Sequence, residues 1–137
     1  MLFRSPLLEQ QGIAAALAAQ YTTGGLPVRM QSDGLGRHPI EIEAAVYFCV
    51  LEALQNAAKY AQANAIEIHL GQTDGAITFS VVDDGMGFDA GENGAGTGLA
   101  GMQDRLAVFG GDVQITSAAR AGTTVRGRIP VGAQVRA

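Results

Sequence analysis

The stretch from Gly85 to Gly101 packs seven glycines into seventeen residues, directly after a strand-like run, Ile77 to Val82, that ends in Asp83 and Asp84. Glycine recurs at this density where backbone must take positive φ or lie flat against a ligand. It weakens a fold unless a ligand or function compensates. Such a segment points to a bound nucleotide more than to a simple turn. The chain has 19 glycines in 137 residues, about twice the usual ~7%, and their concentration here makes the excess local chemistry.

Around that segment the sequence has room for one domain, 1–137. The expected ordered core is about 6–131, with 1–5 as the remnant of a preceding linker or helix. A chain of this length buries roughly two-thirds of its unfolded surface and folds alone. A net charge of −4 and scattered basic residues argue against nucleic acid as a partner, because phosphate-backbone binding needs clustered Lys and Arg. The lone Cys49 reads as a buried thiol and suits a reducing compartment. No apolar run approaches the ~18 residues of a membrane span, and the first residues lack a signal-peptide core. The expected location is the cytoplasm, either as a soluble protein or as the cytoplasmic part of a membrane-bound one.

Apolar periodicity predicts a helix over Leu7 to Gln20, closed by Thr22-Thr23-Gly24-Gly25, and a short strand over Pro27 to Gln31. Ser32 to Pro39 reads as loop, and Pro39 opens a long helix to about Gln62 whose acidic first turn, Glu41 and Glu43, complements the helix dipole. Asn64 to Leu70 and Ala76 to Val82 form a hairpin around Thr73-Asp74-Gly75. Gly98 to Phe109 is a helix ended by Gly110-Gly111. A second hairpin, Val113 to Ser117 and Thr123 to Ile129, turns at Arg120-Ala121-Gly122 and closes at Pro130. This order predicts an α+β sandwich: a mixed, mostly antiparallel sheet with helices on one face.

Three constellations carry chemistry. Glu52, Asn56 and Lys59 share one face of a helix that is otherwise apolar nearly all round. They suit either a bound Mg²⁺ with phosphates or a solvated stripe. Asp83-Asp84-Gly85-Met86-Gly87-Phe88 places a strand-terminal carboxylate, able to accept the exocyclic amine of adenine, before small residues against which a ring can lie. Gly94 to Gly101 opens a helix whose first N–H groups form an anion site. The string Gly96 to Gly101 also fits the dinucleotide pattern G-x-G-x-x-G, but no strand precedes it and no acid follows in Ser117 to Val131, so the match fails the context that a Rossmann enzyme requires.

In order and spacing these motifs resemble the ATP-binding catalytic domains of two-component sensor histidine kinases. L-E-A-L-Q-N-A-A-K-Y-A (Leu51 to Ala61) looks like the N box of that family. D-D-G-M-G-F resembles its first glycine box and G-T-G-L-A-G-M-Q-D-R (Gly96 to Arg105) its second. Gly122-Thr123-Thr124 and the strand ending at Pro130 resemble its final strand pair. The likeness runs from about Pro6 to Val131, and is greatest to the nitrate and cell-wall-stress sensor subgroup. It implies the Bergerat fold shared with gyrase, mismatch-repair and heat-shock-chaperone ATPases.

By position, the resemblance implies that Asn56 ligates Mg²⁺ and that Glu52 orients the metal site and assists proton removal. Lys59 would meet a phosphate, Asp83 the adenine amine, Gly85 and Gly87 the ring, and Thr123 the base. Gly96, Thr97, Gly98 and Leu99 would hold the phosphates. Tyr60, an implied ATP-binding position, stands where many relatives carry histidine. The segment from Phe88 to Thr97 is short and lacks the phenylalanine box of longer lids. No residue matches the phosphoacceptor histidine, and His38 and His69 read as surface or packing residues. The resemblance therefore implies a monomeric catalytic domain using ATP and Mg²⁺. It would be inactive in autophosphorylation until joined to a dimerisation domain that bears the histidine, with a response regulator downstream. Two rivals share the fold: a serine kinase of the anti-sigma-factor type, and a non-catalytic nucleotide-binding interaction module. Leu2 to Gln20, which resembles a linker after a dimerisation hairpin, weighs against the first, and the intact Asn56, Asp83 and glycine set against the second.

Overall fold

The computed structural model describes residues 12–21, 28–33, 35–57, 65–73, 75–85, 96–117 and 122–131. The elements run α1 (Ile13–Tyr21), β1 (Val28–Asp33), α2 (Ile40–Asn56), β2 (Ile66–Thr73), β3 (Ala76–Asp83), α3 (Gly96–Ala107), β4 (Asp112–Ser117) and β5 (Thr123–Pro130). The five strands form one sheet in the order β1-β2-β3-β5-β4. Among the described strands only β1 and β2 pair in parallel, and α2 makes the crossover between them. The other neighbours are antiparallel. This is the mixed, mostly antiparallel α+β arrangement expected from the sequence.

Side-chain alternation assigns the two faces of the sheet. Ile66, Ile68 and Leu70 of β2, Ile77, Phe79 and Val81 of β3, and Val125 and Ile129 of β5 are buried. Their in-between neighbours Glu67, His69, Thr78, Ser80, Arg126 and Arg128 are polar and exposed or half-exposed. One face is therefore core and the other meets water, as antiparallel sheets allow. The helices lie on the core face, with α1 against β1, α2 against β3 and α3 against β4. Because α2 also packs between α1 and α3, it buries residues on three sides, among them Val46, Tyr47, Cys49, Val50 and Leu54. That explains its near-continuous apolar sequence. Each fully buried aliphatic side chain in this layer contributes ~1.5–3 kcal/mol.

Two glycine devices shape the sheet. Gly127 lies opposite Phe79, and a Cβ there would overlap the Phe79 ring, so the ring covers the place a side chain would take. At the end of α3, Gly110 adopts φ 80. Gly111 N–H donates to Leu106 C=O at 2.8 Å and Gly110 N–H to Ala107 C=O at 3.0 Å, which is a Schellman closure.

Several boundaries differ from the sequence reading. Ser32 and Asp33 are strand, not loop, because parallel pairing with Leu70 and Gly71 continues through them. β2 likewise runs on to Thr73, paired to Ala76. α3 starts at Gly96, two residues early. Pro39 does open α2, its C=O accepting the N–H groups of Ile42 and Glu43 at 2.9 and 3.1 Å. Glu41 and Glu43 stand in its first turn as expected, and Glu43 is in addition buried at 1% exposure and holds Arg37 through two hydrogen bonds. The expected helix residues 7–11 and 58–62 lie outside the described residues.

Candidate functional site

One end of the sheet collects the groups singled out in the sequence. Asp83 is the last residue of β3, paired to Ile66, the first of β2, and to Thr123, the first of β5. The alternation that turns Ile77, Phe79 and Val81 inward also turns Asp83 inward, so a carboxylate sits on the core face at only 8% exposure. Its Oδ1 accepts the Gly85 N–H at 2.8 Å, and the Thr123 backbone N–H also donates to it. Burial pushes the Asp83 carboxyl above the usual range. The two backbone N–H groups pull it partly back, and the neighbouring Asp84 charge adds a small upward push. A carboxylate kept in an unfavourable setting is a candidate for ligand work.

Asp84 turns the other way and is exposed. Its Oδ1 accepts the Ala65 N–H at 3.0 Å, and its own N–H donates to the Ala65 C=O at 3.4 Å, which prolongs the β2–β3 ladder past Asp83. Gly122 precedes β5 at φ 81, and a Cβ there would overlap the Asp83 carbonyl oxygen. Only glycine lets the chain pass this close to the Asp83 backbone. The sequence reading used Gly122 as a turn marker and as the first residue of the G-T-T likened to the family's final strand pair, without counting it among the site residues.

The helices converge on the same end. Cys49 Sγ donates to the Met102 C=O at 3.8 Å, and the Arg105 guanidinium lies 4.7 Å from the centre of the Phe48 ring. Rising numbers on α2 meet falling numbers on α3, so the helices are antiparallel. The last turn of α2, with Glu52 and Asn56, is therefore level with the first turn of α3, Gly96 to Leu99. Glu52 and Asn56 are half-buried, and no hydrogen bond or ion pair engages either side chain among the described residues. Cys49 is a packing residue: burial holds its thiol up at about 12, against a downward pull from Arg105 and with an upward push from Glu52.

Asp83, Gly85 and Thr123 are thus in direct contact, and Glu52, Asn56 and the start of α3 border the same end of the fold. Side chains of residues 96–100, and the expected sites Lys59, Tyr60 and Gly87, lie outside the described residues. A groove of about 700 Å³ lined by His69, Ser80, Arg126 and Arg128 is on the outer face of the sheet, away from the Asp83 carboxylate. No cluster of three or more His, Cys, Asp or Glu able to hold a metal occurs among the described residues.

Comparison with known proteins gives this geometry its relatives. Residues 41–133 match the model of the histidine kinase-, DNA gyrase B-, and HSP90-like ATPase family. The oxygen sensor histidine kinase NreB of Staphylococcus carnosus is 42% identical over 93 residues, which are 66% of this chain and 27% of that protein. The chain thus spans about a quarter of that relative. Among solved structures, the blue-light-activated histidine kinase EL346 of Erythrobacter litoralis superposes with a TM-score of 0.71 at 23% identity, over 91% of this chain and 41% of that one. The ATP-binding domain of PrrB from Mycobacterium tuberculosis gives 0.65 at 21% identity, covering 87% and 90%.

Proposed function

The chain belongs to the histidine kinase-, DNA gyrase B-, and HSP90-like ATPase family, and from that premise we propose that it is the ATP-binding catalytic domain of a two-component sensor histidine kinase, passing the γ-phosphate of Mg·ATP to a histidine on a separate dimerisation domain. The observation that carries this reading is the inward Asp83 carboxylate between the Gly85 and Thr123 N–H groups, at the end of the fold where α2 finishes and α3 begins.

In the proposed complex Asp83 accepts the exocyclic amine of adenine. Gly85 and Gly87 let the ring lie against backbone, and Thr123 borders the base. The first N–H groups of α3, from Gly96, Thr97, Gly98 and Leu99, receive the phosphates, since a helix N-terminus offers unpaired donors and positive potential. Lys59 and Tyr60 are the further residues proposed to meet ATP. Mg²⁺ fits the donor set: Asn56 offers an amide oxygen and Glu52 a carboxylate a turn away, and this ion takes few protein ligands and completes its shell with phosphate and water. Bound there, it would neutralise phosphate charge. Asn56 would hold it, and Glu52 would orient that group and take the proton of the attacking imidazole. The domain's contribution is positioning and charge complementarity, as in other phosphoryl transfers. The setting is cytoplasmic, with a response regulator as the next acceptor. No described helix is long and apolar enough to cross a membrane.

Calorimetry with ATP and GTP, each with and without Mg²⁺, tests the reading. The chain is expected to prefer ATP and to gain affinity from the metal. Asp83→Ala should remove the preference for adenine and Asn56→Ala the gain from Mg²⁺. Equal binding of ATP and GTP by the unmodified chain would sink the proposal.

A further inference from the structure

At the opposite end of the sheet from Asp83, a second polar cluster ties three elements together. Gly12, the residue before α1, stands at φ 97, and its C=O accepts the Ala16 N–H at 3.2 Å. The side a Cβ would take there is filled by Arg37, whose Cδ and Nε lie 3.3 Å from that position. The Arg37 guanidinium then grips Glu43 in the first turn of α2, Nε to Oε2 at 2.8 Å and a terminal nitrogen to Oε1 at 3.0 Å. Glu43 Oε2 also accepts the His38 N–H at 3.1 Å. His38 Nε2 lies 2.9 Å from the Gln72 Oε1, which accepts the Gly36 N–H at 3.1 Å, so the far end of β2 is part of the same cluster.

A fork holding a carboxylate through two bonds fixes direction as well as distance. The carboxylate is buried and the guanidinium half-exposed, so Arg37 reaches from the core out to the point where the chain enters α1. From Gln72 to Ile66 is six strand residues, about 20 Å, too far for the cluster to touch a nucleotide at Asp83. It lies instead where Gly12 leads into α1.

We infer that Arg37 and Glu43 form a rigid joint that sets the angle at which the preceding segment enters the ATP-binding core, and that they are positioning residues for phosphoryl transfer to the dimerisation domain. The inference rests on the histidine-kinase reading above. In-line transfer needs the acceptor imidazole about 3 Å from the γ-phosphate. A joint that swings freely would leave ATP bound and the acceptor seldom in reach.

The test replaces both partners at once, Arg37→Met with Glu43→Met, because removing one alone strands a buried charge whereas an apolar pair often folds as well as the ion pair. Arg37→Lys, which keeps the charge and loses the fork, is the second variant. In the isolated chain, amide exchange over Ile13–Tyr21 should quicken while ATP affinity stays within twofold of the unmodified chain. In the full-length protein, label transferred to histidine at saturating ATP should fall at least tenfold for the double variant and less for Arg37→Lys. Unchanged exchange over α1 overturns the joint, as does undiminished transfer, or ATP affinity falling in step with transfer. If the unmodified full-length protein binds ATP and labels no histidine, the histidine-kinase reading falls and the positioning role with it; labelled histidine that survives the double change overturns the joint alone.

Discussion

Replacing Asp83 by asparagine separates binding from stability in a way that only a ligand-directed carboxylate would show. In Asp83 one oxygen takes the Gly85 N–H at 2.8 Å and the carboxylate also takes the Thr123 N–H. Asparagine keeps an acceptor for one of these and sets an NH₂ group where the adenine amine must arrive, so a charge-assisted hydrogen bond becomes two donors face to face. Losing such a bond costs ~1.5–3 kcal/mol, which at 1.4 kcal/mol per tenfold weakens ATP binding about 10- to 150-fold. The ligand-free chain should respond differently. It sheds the desolvation that raises the Asp83 carboxyl and forfeits part of one backbone hydrogen bond, worth ~1 kcal/mol, so its stability should move by no more than about that. The pH dependence has a definite sign. A carboxyl raised in the folded state binds its proton more tightly there than in the unfolded chain, so its contribution to stability is full below the ordinary value of about 3.9 and is lost as pH rises through the raised folded value. ATP affinity runs the other way, weakening as acid converts the acceptor to a hydroxyl. Calorimetry and denaturant titration from pH 4 to 8 would show both slopes in the unmodified chain and each of them reduced in Asp83→Asn. The reasoning fails if the variant keeps ATP affinity within threefold, or if affinity and stability collapse together.

Other expectations follow from single contacts. Gly127→Ala should cost ~1–3 kcal/mol by overpacking against the Phe79 ring; Phe79→Leu should recover part of that, and strict additivity in denaturant unfolding would argue against the contact. Gly122→Ala should weaken ATP binding as well as stability, because its φ of 81 and closeness to the Asp83 carbonyl leave no room for a side chain; calorimetry finding native affinity would oppose its place at the site. The isolated chain should bind ATP without labelling itself, since neither His38 nor His69 sits in an acceptor-like context, and radiolabelled ATP reads this directly. In the full-length protein, acid-labile, alkali-stable label lost in Asn56→Ala would support the kinase reading, whereas stable label on a partner's serine would point to the anti-sigma-type kinase.

The sheet could be read from the chain because β2, β3 and β5 obey a strict period of two, and the inward position of Asp83 follows from that same period. Counting back Val81, Phe79 and Ile77 puts residue 83 on the core face before any coordinates are known. The Arg37–Glu43 pair was not legible, because helix periodicity and dipole arguments treat an acid in the first turn as solvated, and nothing local shows that Arg37 in the preceding loop will bury it. The strand ends were misjudged for a related reason. Ser32 and Asp33 have poor strand propensity, yet their partners Leu70 and Gly71 are supplied from almost forty residues away, so pairing overrides composition. Gly122 illustrates the general case. As one letter in a turn it says only that φ is positive; as the neighbour of the Asp83 carbonyl it says that the loop before β5 must touch the end of β3. The residues that can be read from sequence are those whose neighbours lie two, three or four positions away. Residues that join α1 to α2, or β5 to β3, become visible only once the sheet has brought distant segments together, and the Asp83 and Arg37–Glu43 clusters are of that kind.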